Sequence, residues 1–297
     1  LRKGYAASMG YLMRDPERRI DPRKVWPPAN SVIAAALAYR PHEEQPPDQL
    51  KISRYARGPD YHDIVGAMLK ALVQAVEEAG GQARAYVDTG PLLERGLAFE
   101  AGLGWIGKNT CLYAPGLGSW CFIGIVLTDL RLSTDPVLES QCGDCTLCLD
   151  ACPTGALCSS YELDAGRCLS YHTIENRSTI PEEIREVMGG AFFGCDRCQA
   201  SCPHNNEDAG LASHEAFKHP VPSPSLAKIL NLDDGAFRAR FKNTCLYRPG
   251  RAGLVRNGIL VAASRKSEEH LQALKQLAKS TDPVIREHAL WACRQLT

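Results

Sequence analysis

Apolar residues follow two rhythms along the first third of the chain, one of strand length and one helical. Ser31 to Tyr39 is a short apolar run that reads as a buried strand by its length and flanks, although its alanines leave a helix open. From Asp63 to Ala79, Ile64, Met68, Leu69, Leu72, Val73 and Val76 return at helical spacing, and Gly80-Gly81 stops the run. Ala85-Tyr86-Val87 predicts a strand leading into the turn Asp88-Thr89-Gly90-Pro91, followed by a helix over 91–101. Cys121 to Leu127 predicts another buried strand. Gly102 to Ser119 is rich in glycine, which suits either close backbone approach or an ordinary surface loop. Residues 1–135 thus predict an α+β unit.

The pattern then changes. Residues 136–220 carry only short candidate elements and close on Pro220-Val221-Pro222-Ser223-Pro224, which reads as a linker. Residues 221–297 are helical and hold a faint repeat: Val255 to Ala263 aligns with Ile285 to Cys293, with Asp282-Pro283 opening the second copy. An apolar-Arg start before a small, apolar run resembles HEAT-type repeats, with a plain helical bundle as the alternative.

Composition narrows the classes. The 297 residues suggest two or three domains, and a formal net charge of zero confines any nucleic-acid contact to a local patch. No apolar stretch is long enough to span a membrane. Thirteen cysteines, most of them in ligand spacing, fit a reducing cytoplasm better than a secreted disulfide scaffold.

The cysteines carry the chemistry. Cys142-x2-Cys145-x2-Cys148-x3-Cys152-Pro153 is the bacterial ferredoxin run, and Cys195-x2-Cys198-x3-Cys202-Pro203 repeats it without its first ligand. Phe192 stands at the missing position, and Cys168 can supply that thiolate. In two-cluster ferredoxins the fourth cysteine of each run serves the other cluster. That rule predicts one [4Fe–4S] cluster on Cys142, Cys145, Cys148 and Cys202, and a second on Cys152, Cys168, Cys195 and Cys198. Two-residue loops let successive sulfurs face one centre, and proline turns the chain away. Zinc also uses C-x2-C pairs, but it needs neither the third cysteine nor the repeated Cys-Pro. His172 and His204 read as hydrogen-bonding neighbours rather than ligands. Cys111, Cys121, Cys158, Cys245 and Cys293 read as small buried hydrophobes.

No dinucleotide fingerprint or phosphate loop occurs, so spacing alone reaches an iron–sulfur oxidoreductase with an additional pocket. Further segments resemble the epoxyqueuosine reductase family. They are Met9-Gly10-Tyr11-Leu12, Arg14-Asp15-Pro16, Ser53-Arg54-Tyr55, Asp60-Tyr61-His62, Val87-Asp88-Thr89-Gly90-Pro91, Gly104-Trp105-Ile106-Gly107-Lys108-Asn109 and Cys168 to Glu175, in order over nearly the whole chain. The resemblance implies a reductive-dehalogenase-like cobalamin domain over 1–135, a ferredoxin-like two-cluster module over 136–220 and a HEAT-like, tRNA-binding tail over 221–297. It implies conversion of epoxyqueuosine to queuosine at the wobble position of tRNA by a cytoplasmic monomer fed by flavodoxin or ferredoxin. Asp88 is the implied proton donor, with burial against the corrin expected to raise its pKa; a cap on the following helix is its alternative role. Lys108, Leu112, Ser119, Ile123 and Ser170 lie in segments expected to line the corrin.

For tRNA, residues 236–256 hold Arg238, Arg240, Lys242, Arg248, Arg251 and Arg256 and no acid, a density suited to phosphates, with Tyr247 able to stack on a base. A solvated helix face is the plainer alternative. Arg14, Arg18, Arg19, Arg23 and Lys24 are interrupted by acids and form the weaker cluster. A small-molecule reductive dehalogenase and a non-catalytic dicluster carrier are the rival functions.

Overall fold

The computed structural model describes residues 2–39, 45–46, 48–205, 214–218 and 220–296, so positions 206–213 of the predicted cluster unit lie outside the described residues. After a short helix α1 (Pro16–Ile20), β1 (Ser31–Ala38) enters a three-stranded sheet. Then follow β2 (Lys51–Ile52), α2 (Tyr61–Glu78), β3 (Ala83–Tyr86), α3 (Glu94–Glu100), β4 (Trp105–Ile106), β5 (Leu112–Tyr113) and β6 (Cys121–Thr128). β6 is central, antiparallel to both β1 and β3, with Ala38 opposite Cys121 and Tyr86 opposite Ile125.

Successive β6 side chains face opposite layers. Phe122 and Val126 pack with Val65 and Leu69 of α2, whereas Ile125 and Leu127 pack with Trp26, Leu92 and Ala98. Burial on both faces explains an apolar run instead of alternation. Gly124 lets α2 approach, because a Cβ there would lie 2.8 Å from Leu69 Cδ1. The predicted α2 starts two residues early, where Asp60 caps it by accepting from the His62 amide (3.1 Å), and Met68 proves exposed. The helix expected from 91 begins only at Glu94 with Leu93 at its cap, so Asp88 is not its capping residue.

The middle of the chain holds α4 (Leu147–Asp150), a hairpin of β7 (Leu157–Ser159) and β8 (Glu162–Leu163), α5 (Leu169–Ile174), α6 (Glu182–Val187), β9 (Ala191–Phe193) and α7 (Arg197–Ala200). The tail is α8 (Leu226–Leu230), α9 (Asp234–Phe241), α10 (Gly250–Ser264), α11 (Leu271–Leu277) and α12 (Pro283–Leu296). Both copies of the faint repeat fall within helices, α10 and α12. The Asp282 carboxylate opens α12 by accepting from Val284 N (2.9 Å) and Ile285 N (3.1 Å). α10 is buried all round from Gly253 to Ala263, which marks a central helix.

One apolar core continues from the middle region into the tail. Leu169, Ile180, Phe192 and Phe193 pack with Ile229, Leu254, Ile259 and Trp291. The 220–224 segment lies against the N-terminal region: Val221 N donates to Arg57 O (2.6 Å) and Ser223 Oγ to Leu50 O (3.4 Å). Among the described residues no helix is long and apolar enough to cross a membrane.

Candidate active site and cluster cradle

Cys142, Cys145, Cys148 and Cys202 line one cavity of ≈ 60 Å³, so the last cysteine of the second run joins the first three of the other. Cys145 N donates to Cys142 O (3.0 Å) and closes the turn that aims these sulfurs inward. Convergence of four thiols on one space, one of them from a distant run, is the donor set a cubane requires. The four cysteines expected to hold the second cluster influence one another. Burial first, then the Cys152 thiolate, raises the Cys168 pKa. Burial with Cys168 among its neighbours pushes Cys195 to about 11, and Cys198 rises through burial and then Cys111, Cys195 and Cys168. At Cys152 burial acts upward but is outweighed by donors around the sulfur, including Ala156 N at 3.2 Å.

Gly107, Lys108 and Asn109 supply part of the wall of the first cavity. Lys108 Nζ donates to Gly143 O (2.6 Å) and Cys145 O (3.0 Å). Asn109 Nδ2 donates to Tyr113 Oη (2.8 Å) and to Cys198 O (3.2 Å), so this neighbour of Lys108 holds the second cysteine run. Tyr113 in turn faces Cys202, and its pKa rises through burial and that thiol. Gly104 needs its missing side chain, since a Cβ would sit 2.2 Å from Tyr113 O. Three of the residues expected to line the corrin turn their side chains to protein partners. The Lys108 ammonium is committed to the cluster loop, and the Leu112 side chain is buried in the core. Ser119 is buried, donating to Gln199 Oε1 (2.8 Å) and accepting from Asn205 Nδ2 (2.8 Å). Sequence alone cannot separate small residues in a core from small residues lining a pocket. Ile123 and Ser170 keep partly open surface.

Asp88 sits just past β3, toward the end of the sheet that holds Ile123, with a left-handed φ of 55°. Its Oδ2 accepts from Tyr61 Oη (2.7 Å) and lies 3.7 Å from His62 Nε2, while His62 Nδ1 meets Asp60 Oδ1 (2.7 Å). Asp88 N donates to Glu94 Oε1 (2.6 Å). The carboxylate is 65% exposed and open on one side. Its pKa is lowered, chiefly by His62, against the upward push of burial and contrary to the raised value expected from sequence. The hydrogen bond to Asp88 leads the causes that raise His62 to about 9, while burial raises Glu94 to about 7. Tyr61 stacks on Phe122 (4.4 Å), and Tyr55 lies between Tyr61 (6.3 Å) and Phe193 (6.1 Å). Those aromatics join the Asp88 site to the second cysteine run. Gly194 permits the junction: with φ 71°, a Cβ there would lie 2.2 Å from Ser53 Oγ.

A family model described as "Epoxyqueuosine reductase QueG, DUF1730" matches residues 19–89, and a 4Fe-4S double cluster binding domain matches residues 141–205. An epoxyqueuosine reductase of Aliivibrio fischeri is 36% identical over 305 residues, covering 99% of this chain and 82% of that protein. This chain belongs to the epoxyqueuosine reductase family. The homologue from Gloeobacter violaceus is 44% identical, over 86% of this chain and 83% of its own. A crystal structure of a selenomethionine-labelled epoxyqueuosine reductase superposes with a TM-score of 0.91 at 32% identity, covering 99% of this chain and 82% of that one. Another epoxyqueuosine reductase, solved with an epoxyqueuosine-modified tRNA-Tyr stem loop, gives 0.88 at 33% identity over 99% and 82% of the two chains. The mixed helix and sheet architecture with a two-cluster domain is that of the family.

In this chain the basic run of the tail divides in two. Arg256 is fully buried, which corrects its reading as a phosphate contact. Its guanidinium donates to His172 O (2.6 Å), Asn176 O (2.8 Å) and Ser178 O (3.0 Å). Asn257 adds bonds to Thr173 O (2.8 Å) and Phe192 O (2.9 Å). The central tail helix thereby holds the α5–β9 scaffold beside Cys168 and Cys195. Arg256→Ala strands three carbonyls in the core and should cost about 3 kcal/mol or more, read as a lower urea midpoint. Arg248 is paired with Glu175 (2.9 Å) and sits over Tyr11 (5.8 Å), and Arg251 meets Asp234 (3.1 Å). Arg238, Arg240 and Lys242 remain exposed, and Tyr247 stacks on Phe237 (5.0 Å).

His172 and His204 hydrogen-bond with Gly166 O (2.8 Å) and Gln141 O (3.2 Å), and His204 lines the first cavity. Cys111, Cys121, Cys245 and Cys293 are half-buried, but Cys158 is exposed, which corrects its placement in a core. Of the Asp88 neighbours, Tyr61 and His62 stood in a quoted segment without a role, and Glu94 carried no sequence signal.

Proposed function

We propose that this chain reduces epoxyqueuosine in tRNA to queuosine, with the Asp88–His62 pair governing the proton. What supports the reading is a carboxylate open on one side, held by Tyr61 and His62, and joined through Tyr55 and Phe193 to the second cysteine run. Removing the epoxide oxygen as water takes two electrons and two protons. Eight cysteines provide for two one-electron clusters. Cobalamin, when bound, supplies a strongly nucleophilic reduced cobalt for attack on the strained ring. Ile123 and Ser170, with the open side of Asp88, are the surfaces suited to hold it. Asp88 delivers a proton to the departing oxygen, and His62 holds the proton that the lowered Asp88 pKa refuses at rest.

The proposed division assigns cobalamin to a dehalogenase-like 1–135, the clusters to 136–220 and tRNA to a HEAT-like 221–297. Phosphates fall to Arg238, Arg240 and Lys242. The decisive experiment is anaerobic incubation with epoxyqueuosine-bearing tRNA, cobalamin and a strong reductant, then nucleoside mass analysis. Loss of one oxygen supports the reading, and an unchanged nucleoside in a cobalamin- and cluster-loaded protein overturns it.

The His62 proton gives a pH dependence. Its folded pKa is raised to about 9, so the charged pair persists below that value and is lost as pH rises through it. Turnover should fall on an alkaline limb near pH 9. His62→Gln should remove that limb and lower kcat by about 10²-fold.

A further inference from the structure

The first cluster cavity opens on a face with its own charge pattern. Cys145 is the one exposed thiol among the eight ligand cysteines. Leu147, also lining the cavity, is 49% exposed; Val137, five residues before Cys142, is exposed, and so is Tyr161. Tyr161 Oη meets Ser140 Oγ (3.2 Å), which accepts from Cys142 N (3.4 Å), so the ring stands beside the first ligand. The segment 131–150, which carries three of the cavity cysteines, exposes Asp135, Glu139, Asp144 and Asp150, with Arg131 its single cation. Lys108 adds one positive charge, bound to loop carbonyls.

We propose that this face is the electron-entry surface and that it docks a small one-electron carrier protein with a basic rim around its redox centre. The inference rests on the cluster assignment above. The carrier is oxidised by one electron and the first cluster is reduced by one. No bond forms or breaks, and no proton moves. Opposite charges around an apolar contact speed the encounter and fix its orientation. An acidic carrier meets repulsion here, so a flavodoxin or ferredoxin fits only if its docking rim is basic.

The test runs the transfer in reverse with cytochrome c, whose haem edge is ringed by lysines. The anaerobically reduced, cluster-loaded chain is mixed with oxidised cytochrome c, and haem reduction is followed at low and high salt. The thiolate-bound clusters add negative charge that the formal count of Lys, Arg, Asp and Glu leaves out, so charge-reversal variants on the face, rather than the salt effect alone, report the local patch. The rate should be fastest at low salt and fall by about tenfold as ionic strength rises. The double variant Glu139→Lys/Asp144→Lys should lose that dependence, and Glu139→Lys alone, outside the cysteine run, should weaken it. Cluster absorbance is measured first. Absent clusters would sink the cofactor assignment itself, whereas intact clusters with a salt-independent rate, or variants matching the parent, overturn the docking surface.

Discussion

Asp88→Asn is expected to leave iron content and cobalamin uptake unchanged while lowering turnover of epoxyqueuosine-bearing tRNA by about 10²–10⁴-fold. The amide can still accept from Tyr61, but it carries no labile acid proton and offers no charge to hold the His62 cation. Asparagine is the suitable replacement because Asp88 adopts a left-handed φ of 55°, a conformation asparagine tolerates better than most residues. Single-turnover nucleoside analysis beside the cluster spectrum checks both halves. Full activity in the variant removes Asp88 from the reaction.

Cys202→Ala should abolish turnover and reduce bound iron from about eight to about four atoms per chain. The cavity groups Cys202 with Cys142, Cys145 and Cys148, so adding Cys145→Ala should cost no further iron. Were Cys202 a ligand of the Cys195 and Cys198 site, the double variant would hold almost none. Iron analysis and low-temperature spectroscopy of the reduced protein distinguish the two arrangements.

The cysteine spacing was legible because a cubane constrains local sequence tightly, and the swapped fourth ligand followed from it. Strands β1 and β6 and helix α2 were legible because each has one dominant period. The Asp88 neighbourhood was not. Tyr61 and His62 come from the first turn of α2 and Glu94 from α3; packing of α2 against the sheet brings the first two to the Asp88 carboxylate, while Glu94 accepts from the Asp88 amide. His62 also reversed the expected Asp88 shift, since sequence shows a carboxylate but not the base facing it. Arg256 was misread for a related reason. Charge density in a one-dimensional run says nothing about which cation turns inward, and the carbonyls at the end of α5 reward this one for doing so.

The shared cavity has a consequence for how the protein matures. Three of its sulfurs emerge early during synthesis, but the fourth is sixty residues after the first, at Cys202. In the proposed arrangement neither metal centre has its full ligand set until translation has passed the second run, because Cys152 in turn waits for Cys195 and Cys198. Scaffold machinery that inserts iron and sulfide therefore meets an all-or-nothing target. A ribosome stalled between the two runs would release a thiol-rich fragment able to complete neither centre.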